Sequence, residues 1–243
     1  MNLPARSGSD TERTRARSIE VRRPIVSAIP SADVRRRERR LAWTTISIIL
    51  ALGTATTILV LAGRLRVATG ATGPGRIALE CTGWLVVVEL YLYGLHRLMH
   101  TRRLFRSVHR FHHLSAATDA WTALSLHPVE ALAAFGIFPA LVAAYPVHVA
   151  TIVLVSAFMI TALVATHVNH EPVPRTWHES VATSWLTTPL VHVAHHADAR
   201  VNFGAATTLP DRIFGTLRVD LSWYDRRDLP AWRATGASGS DRA

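Results

Sequence analysis

The feature that most restricts this chain is a stretch of 23 residues, Leu41 to Gly63, without a charged side chain. An α-helix rises about 1.5 Å per residue, so such a stretch crosses the roughly 30 Å of hydrocarbon in a bilayer. A second apolar run, Ile77 to Leu95, carries only Glu80 and Glu89. Carboxylates at membrane depth are tolerated when they face a protein partner rather than lipid, so Glu89 is expected to point inward. Between Glu130 and His167 the only histidine, carboxylate or basic side chain is His148, and Tyr145-Pro146 divides that region into a third and a fourth run. The third, about Val129 to Ala144, is short and contains Pro139, which makes its limits the least regular. The expected fold is an all-α integral membrane protein with four transmembrane helices in two hairpins.

Charge orients this arrangement. All 27 basic residues are arginine, 11 of them within residues 1–40, and the others mostly flank the apolar runs. A net charge of +10 distributed this way suits an anionic lipid surface better than a nucleic acid, which is not expected as a partner. The arginine-rich N-terminus belongs on the cytoplasmic side, and four spans return the C-terminus to that side. A basic set made wholly of arginine is typical of GC-rich bacterial genomes, so the expected address is the bacterial cytoplasmic membrane. Three segments follow: a disordered basic tail over 1–40, a membrane-embedded domain over 41–220, and a C-terminal tail over 221–243. Cys81 is the only cysteine, which excludes an internal disulfide and any thiolate cluster.

Histidine is the residue in excess, 13 against 17 Asp plus Glu. In HRLMH, His96 and His100 stand at i and i+4 on one helical face. HRFHH supplies His109, His112 and His113, and HVAHH repeats that spacing with His192, His195 and His196, so that three rings converge from one helical turn in each. HVNH adds His167 and His170. The hairpin geometry gathers every histidine except His148 at one face, as a histidine-rich helical cap on the cytoplasmic side.

Tetrahedral zinc takes four ligands, or three and a water, so this number of imidazoles suits two metals with open positions, and two irons are the better match. Ligand rings need acceptors behind them, and Glu89 and Asp198 are the carboxylates expected there. A zinc-dependent membrane hydrolase would need fewer ligands and a carboxylate base within the motifs. A non-catalytic metal-binding membrane protein on the same scaffold is the other alternative.

The ordered set HRLMH, HRFHH, LHPVE, HVNHEPVP and HVAHHADARVNFGAATTLPDRIFGT resembles the fatty acid hydroxylase and sterol desaturase superfamily over roughly Glu89 to Leu217. The resemblance implies that His96, His100, His109, His112, His113, His167, His192, His195 and His196 bind metal. It gives Asn169 and the stretch Asn202, Gly204, Asp211, Phe214 and Gly215 supporting places, and leaves His127 and His170 as additional candidates. It implies an O2-dependent oxidoreductase with two iron ions, hydroxylating or desaturating an unactivated C–H position of a sterol or hopanoid, fatty-acyl, carotenoid or alkyl-ether lipid. No flavin, haem or iron–sulfur motif is visible, so electrons are expected from a separate ferredoxin or cytochrome with its reductase. The chain departs from the family pattern at Glu89, Gly94, Phe105 and Ser125.

Overall fold

The computed structural model describes residues 24–225. Their secondary structure is helical, with three isolated β-bridges and no extended strand among the described residues. Helix α1, Ala32–Leu61, starts where the Ser31 hydroxyl accepts from the Val34 N–H, a side-chain cap for one of the first-turn amides. It stops at Ala62 and Gly63, the latter at φ 70°, a left-handed turn that glycine adopts without strain. Helix α2, Pro74–Met99, opens with a proline that lacks only an amide the helix could not have bonded. After the short α3, Arg102–Ser107, and α4, Ala120–Ala123, come α5, Pro128–Ala144, and α6, Val149–Thr166. Imidazole caps start both of these: His127 Nδ1 accepts from Val129 N–H, and His148 Nδ1 from Ala150 N–H. The remaining helices are α7, Arg175–Glu179, α8, Pro189–Ala197, and α9, Leu209–Ile213.

Helices α1, α2 and α6 are long and apolar enough to cross a membrane, and α5 is a shorter apolar helix of 17 residues. Their outward faces are apolar and open, Leu50, Leu79 and Val153 being 64%, 74% and 60% exposed. Apolar surface on this scale belongs against lipid. Inward, Trp84 and Val88 of α2, Val142 of α5, and Val155 and Met159 of α6 form the buried core. Helix α1 packs on α5 and α4, whereas α2 packs on α6 and α5, and α6 on α8.

Two boundaries differ from expectation. Of the expected tail, residues 1–23 lie outside the described residues, but 24–40 are structured. Ile25 and Val26 are buried against Leu190, Val193 and Trp223, and the arginine run continues α1 by nine residues below Leu41. Apolar periodicity could not show this, because the extension is held by a buried carboxylate, Glu38, that accepts from the Thr122 hydroxyl. At the other end, Leu221–Tyr224 forms a 3-10 turn with Trp223 buried. Residues 226–243 of the expected C-terminal tail lie outside the described residues.

Candidate metal centre

Nine histidine side chains meet at one end of the helical core. His96 sits in the last turn of α2 and His100 caps it, while His167 caps α6. HRFHH is not α-helical. Val108, at φ −124° and ψ −64°, ends α3, and His109–Leu114 continue as a 3-10 helix. HVAHH lies on α8.

The rings sort into two groups. His96, His100, His109, His113 and His195 bring one nitrogen each within 4.8 Å of one another, and so do His112, His167, His192 and His196. Neither triple motif converges on a single point, contrary to the sequence expectation. HRFHH sends His109 and His113 to the first group and His112 to the second, and HVAHH sends His195 to the first and the pair His192 and His196 to the second. On α8 the i and i+4 residues His192 and His196 share a helical face and His195 points across the boundary, and the 3-10 segment reaches the same division, with His109 and His113 on one side and His112 on the other. The groups abut, the His113 and His196 rings lying 4.6 Å apart.

Four rings make a hydrogen bond on their outer side, and for three of them a backbone carbonyl decides the tautomer. Nδ1–H of His96 donates to the Phe203 carbonyl at 3.0 Å, His167 to Leu163 at 2.7 Å, and His195 to Val201 at 2.6 Å. His109 Nδ1 meets the Glu130 carboxylate at 2.6 Å. The three carbonyls leave Nε2 of His96, His167 and His195 with a lone pair facing inward, and an ionised Glu130 does the same for His109. His109 Nε2 lies 3.0 Å from that of His100 and 3.1 Å from that of His113, His100 lies 3.1 Å from His195, and His192 lies 3.0 Å from His167. A proton on one ring satisfies one such contact, whereas a cation accepts lone pairs from several directions at once. His96 Nε2 and both ring nitrogens of His196 are buried without a hydrogen-bond partner among the described residues, which fits the same conclusion. The residues present fit a metal in each group.

Burial sets the charge state. Desolvation pushes His100 down to about 3 and His167 to about 4, with neighbouring imidazoles adding to the effect at His100. The same two causes hold His109, His112, His113, His192, His195 and His196 well below the ordinary histidine value. At neutral pH the rings are uncharged, the form that coordinates.

The other expected residues lie around this centre without joining it. His127 stacks on Phe111 and caps α5, and His170 pairs in a β-bridge with Pro24. Glu89 reaches no histidine. It accepts from Ala206 N–H, Thr207 N–H and the Thr207 hydroxyl, and so anchors the loop whose Phe203 carbonyl holds His96. Asp198 pairs with the exposed Arg200, which lowers its pKa. Asn169 bonds both the amide and the carbonyl of Val26, fastening the segment that covers α8 from behind. Asn202, at φ 57°, donates to the Val191 and Arg218 carbonyls and accepts from Arg218 N–H.

Glu130 and Glu171 are the supports that sequence reasoning passed over. Glu171 accepts from Leu190 N–H at 2.8 Å in the first turn of α8, and so positions the helix that carries three of the nine rings. Asp211 holds the amides of Phe203 and Gly204 and the Thr216 hydroxyl. At Gly204 a Cβ would stand 2.2 Å from the Thr207 carbonyl oxygen and 2.8 Å from Asp211 Oδ2, so only glycine fits.

A cavity of about 520 Å³ ends on this centre, with His96, His109, His112, His167 and His192 in its wall and aliphatic side chains over most of the rest. A family model described as fatty acid hydroxylase matches residues 81–216, more than half of the chain and all nine clustered histidines. The chain belongs to the fatty acid hydroxylase family. Among curated proteins, this family member is 24% identical over 168 residues to a Delta(7)-sterol 5(6)-desaturase of Eremothecium gossypii, covering 65% of this chain and 44% of that one. It is 28% identical over 137 residues to methylsterol monooxygenase 1 of Gallus gallus, covering 56% and 45%. Very-long-chain aldehyde decarbonylase GL1-6 of Oryza sativa subsp. indica is 29% identical over 158 residues, covering 60% and 25%. The chain spans less than half the length of these relatives, and no solved structure matches it. Family and apolar helices together make this hydroxylase-family chain an integral membrane protein.

Proposed function

We propose that this protein is an O2-dependent oxidoreductase that hydroxylates or desaturates an unactivated C–H position of a membrane lipid, using two irons held by the two histidine groups. The observation that carries the reading is the junction of those groups with a long apolar cavity. Nine neutral imidazoles suit a redox-active metal pair, and the cavity brings hydrocarbon to it. Relatives named as sterol desaturase, sterol monooxygenase and aldehyde decarbonylase act on lipid-like substrates, which supports the same class.

Two irons bound there would supply the activation of O2 and the removal of hydrogen from carbon. The chain's own part is different. Asp211 and Glu89 hold the 203–207 loop against the centre, Glu130 and three backbone carbonyls fix ring orientation, and the aliphatic wall keeps water from the reacting carbon. Electrons come from a separate ferredoxin or cytochrome with its reductase. We take α5 as the fourth span, so that α1 with α2 and α5 with α6 form two hairpins, with both termini and the histidine cap cytoplasmic and the protein in a bacterial cytoplasmic membrane.

The test is lipid analysis of membranes containing the protein, supplied with NADPH, ferredoxin and ferredoxin reductase. An oxygenated or newly unsaturated lipid is expected only in air, with the oxygen of any alcohol derived from labelled O2. A product formed equally without O2, or labelled from water, would contradict the reading.

A further inference from the structure

Two segments beside the histidine centre hang on α2 well short of that helix's end. Glu89 accepts from the amides of Ala206 and Thr207. The hydroxyls of Tyr93 and Thr216 meet at 2.9 Å, and the Tyr93 ring stacks on Phe214 with centroids 5.0 Å apart. A second stretch is tied to the first: Thr187 N–H donates to the Ala206 carbonyl, Thr208 N–H to that of Trp185, and Leu186 forms a β-bridge with Thr207. Both stretches therefore sit at the level of Glu89 to Tyr93, whereas α2 runs on to Met99. Hydrocarbon about 30 Å thick takes about 20 residues of helix, and counted from Arg76, the charged residue at the start of α2, it ends near His96. Glu89 is then about 10 Å and Tyr93 about 4 Å inside that limit.

What these stretches turn outward suits such a depth. Val181, Ile213 and Phe214 are 93%, 70% and 53% exposed, and Trp185 and Leu209 are exposed as well. Residues 180–187 and 203–217 together hold two charged side chains, Asp211 and Arg212. Asp211 is buried on the amides of Phe203 and Gly204, and Arg212 directs donors to the Thr208 hydroxyl and the Ser184 carbonyl. Trp185 likewise donates its indole N–H to the Ala182 carbonyl at 2.8 Å, which leaves an apolar ring facing out. Helix α9 packs on α2, whose own outward residues at this level, Val86, Val87 and Leu90, are exposed and apolar. Apolar surface gathered in this way marks a contact with something other than water.

We propose that Val181, Trp185, Leu209, Ile213 and Phe214 form an interfacial wedge, inserted among the acyl chains of the leaflet at the histidine end. The partner is the lipid surface itself. Residues 180–187 and α9 do not cross the bilayer; they lie in its boundary layer, as amphipathic elements do, with their apolar side toward the chains. Trp185 then stands where an indole is favoured, between headgroups and hydrocarbon. The wedge is joined to the centre, because the loop that Glu89 and Asp211 hold also presents the Phe203 carbonyl to His96. The edge of the leaflet therefore runs through the support of the histidine centre, not beneath a cap standing clear in water. This placement requires only that α2 crosses the bilayer, whichever metal the histidines hold.

In a Cys81→Ala background, Val181→Cys and Ile213→Cys are spin-labelled in vesicles of phosphatidylcholine and phosphatidylglycerol. Collisions with O2, which concentrates in lipid, are compared with those of a water-soluble nickel chelate. Val153→Cys on the outward face of α6 and the exposed Arg200→Cys serve as references. Both wedge labels are expected to follow Val153→Cys, with O2 collisions dominant, while Arg200→Cys shows the reverse. Dominance of the nickel chelate at either wedge position would overturn the proposal by placing the patch in water. Shielding from both reagents would overturn it by showing that a second copy or another protein covers the patch. A second measurement needs no new cysteine. Lipids brominated near the carbonyl end of their acyl chains should quench the tryptophan emission of the unaltered protein more than that of Trp185→Phe, and an equal quenched fraction in the two would overturn the wedge.

Discussion

At the scale of single residues the centre depends on atoms that stand behind the rings. Glu130 meets His109 Nδ1 at 2.6 Å in a buried setting, and its removal frees that ring to turn. We expect Glu130→Gln to fold and to bind metal on the order of 10–100-fold more weakly, the usual cost of losing such a partner, as read by competition with a chelator of known affinity. Unchanged affinity would assign Glu130 to the fold alone. Gly204→Ala places a methyl against the Thr207 carbonyl and Asp211, and should lower stability by about 2 kcal/mol or more in thermal unfolding, with loss of metal as the Phe203 carbonyl shifts from His96. The nine rings that cluster are all among the histidines singled out in the sequence, His167 through the family resemblance, but their division into two groups was not legible there, because HRFHH folds as a 3-10 turn. Their supports were not legible either: three of the four outer acceptors are backbone carbonyls, which any residue supplies, and choosing Glu130 over Glu89 or Asp198 required knowing which helix faces which.

At the scale of elements, α8 is the piece on which both groups rely, and it has only nine residues. A helix of that length is marginal in isolation, so its place is set by what grips it. Glu171 accepts at its first turn, Asn202 bonds the Val191 carbonyl, and Ile25 and Val26 cover its rear. We expect Glu171→Ala to cost about 1–3 kcal/mol and to speed metal loss although it touches none of the nine rings. Identical metal retention in the variant and the parent would contradict that coupling. The 3-10 turn at His109–Leu114 was beyond sequence reasoning, since the i, i+3, i+4 spacing suits an α-helical turn equally well, and the break at Val108 arises from packing. The start of α1 at Ala32 was hidden for a related reason: arginines that read as a tail become helical once Glu38 is buried.

At the scale of the whole molecule, pH and topology give the broadest checks. Folded histidines of the centre have depressed pKa values, about 3 for His100 and about 4 for His167, against about 6.5 in an unfolded chain. Between those limits the unfolded state binds more protons, so stability is full above pH 6.5 and is lost as pH falls through that value toward the folded pKa values. Unfolding of the metal-free protein by denaturant, measured against pH, should therefore show stability falling from just below pH 6.5; stability unchanged down to pH 4 would contradict it. For topology, in a Cys81→Ala background, Gly70→Cys and Arg103→Cys should react with a membrane-impermeant thiol reagent from opposite sides of sealed vesicles, and labelling of both from one side would remove the hairpin arrangement.

The central claim is that two metals of one kind sit in two histidine groups. It is tested most directly by iron and zinc content per chain in detergent-purified protein, with His195→Ala from the first group and His112→Ala from the second. About two irons per unaltered chain, with iron lost in both variants, is the predicted result. One zinc per chain, or a metal content that neither substitution changes, would contradict it.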